Sequence, residues 1–183
     1  DLLFTGGGDN SADGGDGDDA IVGEGGNDIL SGNSGDDRIY GNAGRDVING
    51  GAGVDLLSGG ADGDVFVWSR LQHSLLGSPG AYRFDTVTDY RSGDRLDAVF
   101  DGATGSIQSS LAHIGQLSAA AIAGALTTRS FTSYAARAFT ASGWNGTFVA
   151  FNDGNAGFDA TQDSIIFLSN YNFATAATAI IVI

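Results

Sequence analysis

The chain has 183 residues and carries 22 acidic but only 8 basic side chains, which gives a formal charge of −14 at pH 7. It has no cysteine, which excludes disulfides, thiol catalysis and cysteine-ligated zinc. The absence of lysine and of clustered arginines excludes a Walker-type phosphate loop and a nucleic-acid-binding surface, and no stretch approaches the ~20 apolar residues of a membrane span.

A nine-residue repeat fills the first third of the chain. Aspartate, replaced once by asparagine, recurs every nine residues: Asp1, Asn10, Asp19, Asp28, Asp37, Asp46, Asp55 and Asp64. An apolar residue follows each by two positions: Leu3, Ala12, Ile21, Leu30, Ile39, Ile48, Leu57 and Phe66. Glycine precedes most of them by five positions: Gly14, Gly23, Gly32, Gly41, Gly50 and Gly59. A disordered linker has no reason to keep an apolar residue in phase.

The unit is G-G-x-G-x-D-x-U-x, where U is apolar, and residues 14–22 and 50–58 match it in full. Its glycines permit tight turns, and its last three residues favour a short strand around one inward side chain. Two units therefore make one coil, with parallel strands on two faces. Aspartates two units apart stack along one edge, and the alternate residues, starting from Asn10, stack along the other.

Stacked carboxylates at the strand spacing of about 4.8 Å repel one another and need a cation between them. Carboxylates and glycine-loop carbonyls are hard oxygen ligands, which suit Ca²⁺ rather than Zn²⁺ or Mg²⁺. One apolar residue in nine cannot offset a chain entropy of roughly 1–2 kcal/mol per residue. We therefore expect metal binding to contribute directly to folding.

With this unit, residues 1–67 resemble the RTX (repeats-in-toxin) proteins, whose nonapeptides bind Ca²⁺ and form a parallel β-roll. The resemblance implies bridging calcium ligands at Asp19, Asp28, Asp37, Asp46, Asp55 and Asp64. It implies carbonyl ligands from the loops of Gly14, Gly23, Gly32, Gly41, Gly50 and Gly59. We expect about four to six ions, with well-formed sites at the pairs Asp19–Asp37, Asp37–Asp55, Asp28–Asp46 and Asp46–Asp64.

Three positions depart from the repeat and predict weaker or missing sites. Asn10 replaces aspartate, so a site that it shares with Asp28 is expected to be weaker. Asp1 lacks its preceding loop, and a chain that starts inside a unit predicts repeats or another domain upstream. Asp62 replaces a glycine of the last unit and predicts the exit from the roll.

The period is predicted to stop after Phe66, and the distal sequence predicts a β-rich cap. The acidic segment 85–97 resembles one that follows the repeats in secreted RTX proteins, and it offers either one more calcium site or a solvated hairpin edge. Residues 109–126 have helical apolar spacing, and residues 144–169 predict a hairpin. The acids of 152–163 are candidates for a further ion, although turn capping is the alternative role.

We therefore predict a mainly all-β fold. It consists of a parallel β-roll, a type of β-solenoid, over residues 1–67 and a β-rich C-terminal capping or secretion domain over residues 68–183, with one short helix near 110–126. The apolar C-terminus ATAIIVI resembles the uncleaved signal of type I secretion substrates, and a final strand is the alternative interpretation.

The predicted function is that of a calcium-binding module at the C-terminus of a larger extracellular protein, which folds on Ca²⁺ after type I secretion. Its expected partners are calcium, the secretion machinery and an upstream domain, and its expected place is outside the cell or at the cell surface. One alternative is a calcium-dependent assembly module of a surface-layer, biofilm or adhesin protein, which self-associates. Another is an accessory domain of a secreted protease, lipase or epimerase.

Catalysis by this chain itself is not expected. His73 and His113 are the only histidines, and neither an H-E-x-x-H zinc motif nor a G-x-S-x-G nucleophile elbow occurs. An array of bound calcium accounts for the many aspartate pairs without glycosidase chemistry. Trp68 and Trp144 flank predicted strands and are interpreted as core or cap residues rather than as sugar-stacking platforms.

Overall fold

The protein folds as two facing β-sheets that begin in the repeats and run on into the distal sequence. The computed structural model describes residues 1–68, 83–98, 105–106, 112–114, 121, 136–151, 164–171 and 181–182. The strands within the repeats are β1 (Leu2–Phe4), β2 (Ser11–Asp16), β3 (Ala20–Gly25), β4 (Ile29–Ser34), β5 (Arg38–Ala43), β6 (Val47–Ala52), β7 (Leu56–Ala61) and β8 (Val65–Trp68). The strands beyond them are β9 (Asp85–Val87), β10 (Arg95–Ala98), β11 (Gly105–Ser106), β12 (Ala112–Ile114), β13 (Ala136–Ala141), β14 (Gly146–Phe151), β15 (Ser164–Ser169) and β16 (Ile181–Val182).

The repeat strands alternate between the two sheets, as the coil of two units predicts. The first sheet has the order β1-β3-β5-β7-β9-β15-β14-β13-β12, and the second has β11-β16-β10-β8-β6-β4-β2. Within the repeats, neighbouring strands are parallel and each residue pairs with the one 18 positions later, for example Ile21 with Ile39. This register stacks every repeat position on its counterpart in the next coil.

The core of the roll is a single stack of apolar side chains between the sheets. The apolar repeat residues are all 0% exposed from the third unit onward: Ile21, Leu30, Ile39, Ile48, Leu57 and Phe66. Leu3 and Ala12 pack against this stack and are only partly buried. One buried side chain per unit is a thin core, and the roll therefore depends on what its loops contribute.

Parallel strand pairing continues beyond Phe66, where the nine-residue period of the sequence stops. Strand β9 pairs in parallel with β7, and β10 pairs in parallel with β8. Val87 and Leu96 are 0% exposed and continue the core stack beyond Leu57 and Phe66. Asp62, in the last loop of the repeats, keeps the loop conformation of the other units. Its φ of 72° keeps the positive sign that glycine has at this place in other units, so the loop retains its course.

The distal strands extend the first sheet through a hairpin. Strands β14 and β15 pair antiparallel, which confirms the hairpin predicted over residues 144–169, and β15 pairs in parallel with β9. The buried Phe84 and Phe148 form an aromatic cluster with the half-buried Trp144, with edge-to-face ring centroids 5.4–5.5 Å apart. Trp144 is therefore a packing residue, as its flanking position predicts.

Other predictions for the residues beyond the repeats agree with the structure only in part. Ala112–Ile114 form strand β12, which pairs with β13, so these residues are not helical as predicted. Sheet pairing overrides the weak helical preference of the alanines there. Ala121 is helical, and the rest of that range lies outside the described residues, as do His73 and the acids of 152–163.

Ile181–Val182 pair with β10, which confirms the final strand. Across the described residues, no helix is long and apolar enough to cross a membrane.

The left-handed backbone of Glu24 allows the cost of strain in a repeat loop to be measured. Its φ is 72°, at a position where other units place Gly15, Gly51 or Gly60. A left-handed conformation costs an L-residue about 1–2 kcal/mol, and glycine adds ~0.5–1 kcal/mol of chain entropy. We expect Glu24→Gly to raise the stability of the calcium-loaded protein by about 0.5–1 kcal/mol, measured by thermal unfolding.

The matched control for this change is Glu24→Gln, which removes the same charge but keeps the strained side chain. We expect its unfolding midpoint to match that of the unaltered protein. A Glu24→Gly midpoint at or below that of the control would contradict the strain argument.

Candidate metal site

Two ladders of aspartates run along the two edges of the roll. The first ladder precedes the strands of the first sheet and consists of Asp19, Asp37, Asp55 and Asp85. The second ladder precedes the strands of the second sheet and consists of Asn10, Asp28, Asp46, Asp64 and Asp94. Every aspartate in the two ladders is at most 3% exposed.

One oxygen of each ladder aspartate is bound by the backbone. The N–H of Asp19 donates to Oδ1 of Asp37 at 2.8 Å, and the same bond recurs at each step of both ladders at 2.8–3.1 Å. At the start of the first ladder, the terminal nitrogen of Asp1 contacts Oδ1 of Asp19. These bonds fix each carboxylate in the gap between its own coil and the preceding one.

The second oxygen has no such partner in the repeats. Among the described residues, six Oδ2 atoms are buried and lack any hydrogen bond, and they belong to Asp19, Asp28, Asp37, Asp46, Asp55 and Asp64. A buried carboxylate oxygen without a donor costs several kcal/mol of desolvation when it is charged. Six such atoms in regular stacking indicate that a cation belongs beside each of them.

The first glycine of each unit leaves the room that this cation needs. A Cβ atom on Gly14 would lie 2.5 Å from Oδ2 of Asp19 and 2.9 Å from the carbonyl oxygen of Gly32 in the next coil. A Cβ atom on Gly23 would likewise lie 2.5 Å from Oδ2 of Asp28 and 2.8 Å from the carbonyl oxygen of Gly41. The space in front of the glycine is thus bordered by a carboxylate and a carbonyl oxygen.

This arrangement recurs along both edges. Gly32 and Gly41 face the carbonyl oxygens of Gly50 and Gly59, respectively, and each faces the Oδ2 atom of its own unit's aspartate, as do Gly50 and Gly59. None of these first glycines has a positive φ, so they serve to leave space rather than to allow an unusual backbone. The structure therefore brings the predicted aspartates and glycines together in pairs of adjacent loops.

The chemistry of these spaces fits calcium. In the described part of the chain, no three histidine or acidic side chains converge, so carbonyl oxygens must complete the coordination shell of any ion. Calcium accepts six to eight such oxygens in flexible geometry, whereas zinc prefers nitrogen and sulfur. When bound, calcium would supply the positive charge that compensates the buried carboxylates.

Four ladder carboxylates of the repeats, those of Asp37, Asp46, Asp55 and Asp64, resist ionisation in the absence of a metal. Burial, with the neighbouring Asp85 as the next cause, raises the pKa of Asp55 from 3.8 to about 7. Burial, the largest cause, raises the pKa of Asp64 to about 6, and the charges of Asp94 and Asp46 act in the same direction. Burial also raises the pKa values of Asp37 and Asp46. The metal-free fold thus does not compensate the negative charge that these carboxylates carry when they ionise.

The Asn10 end of the second ladder is occupied by protein donors. The amide nitrogen Nδ2 of Asn10 donates to the carbonyl oxygens of Gly8 and Gly6 at 2.6 and 3.3 Å. The hydroxyl of Thr5, which replaces the first glycine of this unit, donates to the carbonyl oxygen of Gly23 at 2.6 Å. The sequence predicts Asn10 as a weak calcium ligand, whereas the structure places its amide as a donor to loop carbonyls.

The far end of both ladders contains residues that sequence reasoning did not place. Asp85 and Asp94 are ladder members, and their Oδ2 atoms accept hydrogen bonds from Nε1 of Trp68 at 2.7 Å and the N–H of Arg91 at 2.8 Å. The signal for them was present, because these two aspartates are nine residues apart and each precedes a buried apolar residue by two positions. Asp89, between them, accepts hydrogen bonds from the N–H groups of Gly59 and Gly60.

Comparison with known proteins agrees with this geometry. The family model of the RTX calcium-binding nonapeptide repeat (4 copies) matches residues 1–30 and residues 31–66. No curated protein matches the chain. Among solved structures, the AlgE6R2 subunit of the Azotobacter vinelandii mannuronan C5-epimerase aligns at 22% identity and a TM-score of 0.52, over 92% of this chain and 87% of that chain.

A second subunit of the same Azotobacter vinelandii enzyme, AlgE6R3, aligns at 27% identity and a TM-score of 0.41, over 92% of this chain and 75% of that chain. The likeness to AlgE6R2 concerns the fold alone. The family match concerns the repeats, which contain six of the eight ladder aspartates and the core stack from Leu3 to Phe66. Residues 1–66 of this chain are therefore RTX calcium-binding nonapeptide repeats that fold as a parallel β-roll.

Proposed function

We propose that this chain is a calcium-gated folding module of a larger extracellular protein. The six buried, unpartnered Oδ2 atoms carry the proposal, because they make the folded roll costly without cations and stable with them. A ligand that binds only the folded state stabilises it by mass action. Calcium would thus decide whether the repeats are folded.

Within the repeats we place one ion at each of four pairs of adjacent loops. These pairs are Asp19–Asp37, Asp37–Asp55, Asp28–Asp46 and Asp46–Asp64. In each pair an unpartnered Oδ2 atom of the earlier loop and a glycine carbonyl oxygen of the later loop border the same space. Asn10 donates to a carbonyl oxygen of its own loop and Thr5 donates to the carbonyl oxygen of Gly23 in the next coil, so we assign no ion to the Asn10–Asp28 pair.

The charge of the repeats supports the gating role. Residues 1–70 carry 14 acidic side chains and three arginines, and this excess of negative charge opposes compaction when calcium is scarce. Extracellular modules bind calcium with dissociation constants of about 10⁻⁴–10⁻³ M, which suits folding outside the cell. Each coil contacts only its neighbours, so folding would propagate along the stack and into β9 and β10.

The place of the chain in its parent protein is also a proposal. We infer that residues 1–67 form the gating roll and that residues 68–183 cap it, carry the C-terminal signal for type I secretion and contain no catalytic site of their own. The apolar C-terminus supports this inference, as does the secretion that is typical of proteins with these repeats. An accessory role beside a secreted protease, lipase or epimerase domain agrees with the fold shared with an epimerase subunit.

The test of gating is far-UV circular dichroism of the chain in millimolar calcium and in excess EGTA. We expect the β signal to be lost in EGTA and to return when calcium is added back. Magnesium at the same concentration serves as the control, because it dehydrates reluctantly and demands octahedral geometry. An unchanged spectrum in EGTA would overturn the proposal.

A second candidate function, calcium-dependent assembly, is favoured by the sheet edges away from the first repeat. Among the described strands, β12 lies at one edge of the first sheet and β11 lies at one edge of the second. Such an edge can pair with another strand. Light scattering during a calcium titration distinguishes the two functions, because growth of particle size indicates assembly and a constant monomer indicates a folding module.

A further inference from the structure

The number of unpartnered oxygens exceeds the number of loop pairs in the repeats. The four pairs named above use the Oδ2 atoms of Asp19, Asp28, Asp37 and Asp46. Two further buried Oδ2 atoms, those of Asp55 and Asp64, also lack a hydrogen bond among the described residues. Both side chains are nine-tenths buried or more, and both point into the space in front of the first glycine of their unit. These two oxygens face beyond the repeats.

The coil that they face contains the next member of each ladder. The N–H of Asp55 donates to Oδ1 of Asp85 at 2.9 Å, and the N–H of Asp64 donates to Oδ1 of Asp94 at 3.1 Å. The corresponding bonds within the repeats measure 2.8–3.0 Å. The two junctions therefore have the same carboxylate arrangement as the four pairs in the repeats.

The backbone holds these junctions in register despite a longer connection. The step between ladder members is 30 residues at both junctions, where the repeats use 18. Leu57 nevertheless pairs with Val87, and Phe66 pairs with Leu96, so the aspartates stand opposite one another as in the repeats. Both edges of the roll therefore continue from β7 and β8 into β9 and β10.

The two outer aspartates differ from the inner ones in a way that marks the end of the array. In Asp85 and Asp94 the Oδ2 atom is bound by a protein donor, the indole N–H of Trp68 or the backbone N–H of Arg91. A donor at this atom takes the place that a cation would have on the far side. The array thus ends with these residues and not with Asp64.

We propose that calcium also binds at two sites outside the family repeats, one between Asp55 and Asp85 and one between Asp64 and Asp94. The proposal rests on the proposed function, since it assumes that the repeat loops bind calcium. It raises the number of ions from four to six and makes β9 and β10 part of the calcium-dependent fold. Trp68 then reports on the first of these sites through its bond to Asp85.

The stoichiometry of calcium binding tests the proposal. We expect isothermal titration to find one ion fewer in Asp85→Asn and one fewer in Asp94→Asn than in the unaltered chain. Asp97→Asn is the matched control, because Asp97 lies on β10 outside the ladders, and it should bind as many ions as the unaltered chain. Equal stoichiometry in all four proteins would overturn the inference while leaving the proposed function intact. An unaltered chain that binds no calcium would instead refute the proposed function.

A luminescence measurement keeps the proposal testable if a ladder variant fails to fold. Terbium replaces calcium at oxygen sites and emits when a tryptophan close by absorbs light. We expect the tryptophan-sensitised emission to fall strongly in Trp68→Phe, which retains every ladder carboxylate, and in Asp85→Asn, but not in Asp97→Asn. Emission that is unchanged in Trp68→Phe would show that no ion lies beside Asp85 and would overturn the inference.

Discussion

Gly41→Ala is expected to remove one bound calcium ion and to lower the stability of the calcium-loaded protein by about 1–3 kcal/mol, as overpacking of a buried site typically does. The Cβ atom of an alanine at this position would contact Oδ2 of Asp46 and would lie 2.6 Å from the carbonyl oxygen of Gly59. These two oxygens border the space that we assign to the ion between Asp46 and Asp64. The methyl group would occupy that space.

The expected loss comes from the site and not from the local backbone. Gly41 does not have a positive φ, so an alanine is sterically permitted there as far as its own dihedral angles are concerned. Its neighbours in the site, a buried carboxylate and a backbone carbonyl, have little freedom to move away. Calcium titration followed by urea unfolding in saturating calcium measures both the lost ion and the lost stability.

Gly25→Ala is the matched control for this prediction. Gly25 belongs to the unit two before that of Gly41, has no positive φ, and a Cβ atom on it would meet nothing within 4 Å. We expect its calcium stoichiometry to be unchanged and its stability to lie within ~0.5 kcal/mol of the unaltered protein. If both alanine variants behave alike, the first glycine of the unit does not border a calcium site.

The period of nine was sufficient to predict the two sheets, the core stack and the partners in each ladder of the repeats. A strict period determines register, and register determines which side chains stack. Ile21 and Ile39 illustrate this, because their position in the unit alone places one above the other in the core. The loop glycines followed from the same reasoning, since a repeated position has a repeated environment.

The ends of the ladders were not predictable in the same way. A connection of irregular length separates Trp68 from Asp85, so nothing in the period indicates that β9 returns to the register of β7. The hydrogen bond from Trp68 to Asp85 is a contact between elements that only the folded chain brings together. Asn10 is a different case, because an amide and a carboxylate have similar shapes and only the structure shows the amide acting as a donor.

Acidification is expected to promote folding of the calcium-free chain. In the folded roll, burial raises the pKa of Asp55 from 3.8 to about 7 and that of Asp64 to about 6. A carboxyl group whose folded-state pKa is raised binds more protons in the folded than in the unfolded state, so stability is lost as pH rises from about 4 to about 7. We expect the folded fraction of the calcium-stripped chain, measured by circular dichroism, to increase as pH falls from 8 to 5.

Calcium should weaken this dependence. The ion binds the deprotonated carboxylates, so protons compete with it and the calcium affinity of the folded chain is expected to be lower at pH 5 than at pH 8. Isothermal titration at both pH values measures this difference in affinity, and equal affinities would contradict the competition. The lowest pH of both experiments is 5, because the chain has no net charge at its isoelectric point of about 4.1 and would precipitate there.

Asp55→Asn distinguishes the destabilisation that the buried charge causes without calcium from the stabilisation that it provides by binding calcium. The amide has nearly the shape of the carboxyl group and carries no charge, so we expect the calcium-free variant to be more folded than the unaltered chain at pH 8. In saturating calcium we expect the variant to be the less stable of the two, because it lacks a bridging ligand. Asp16→Asn, at the exposed end of β2, is the control and should change neither state. If Asp55→Asn lowers stability with and without calcium, Asp55 supports the fold by packing or hydrogen bonding rather than by holding the metal.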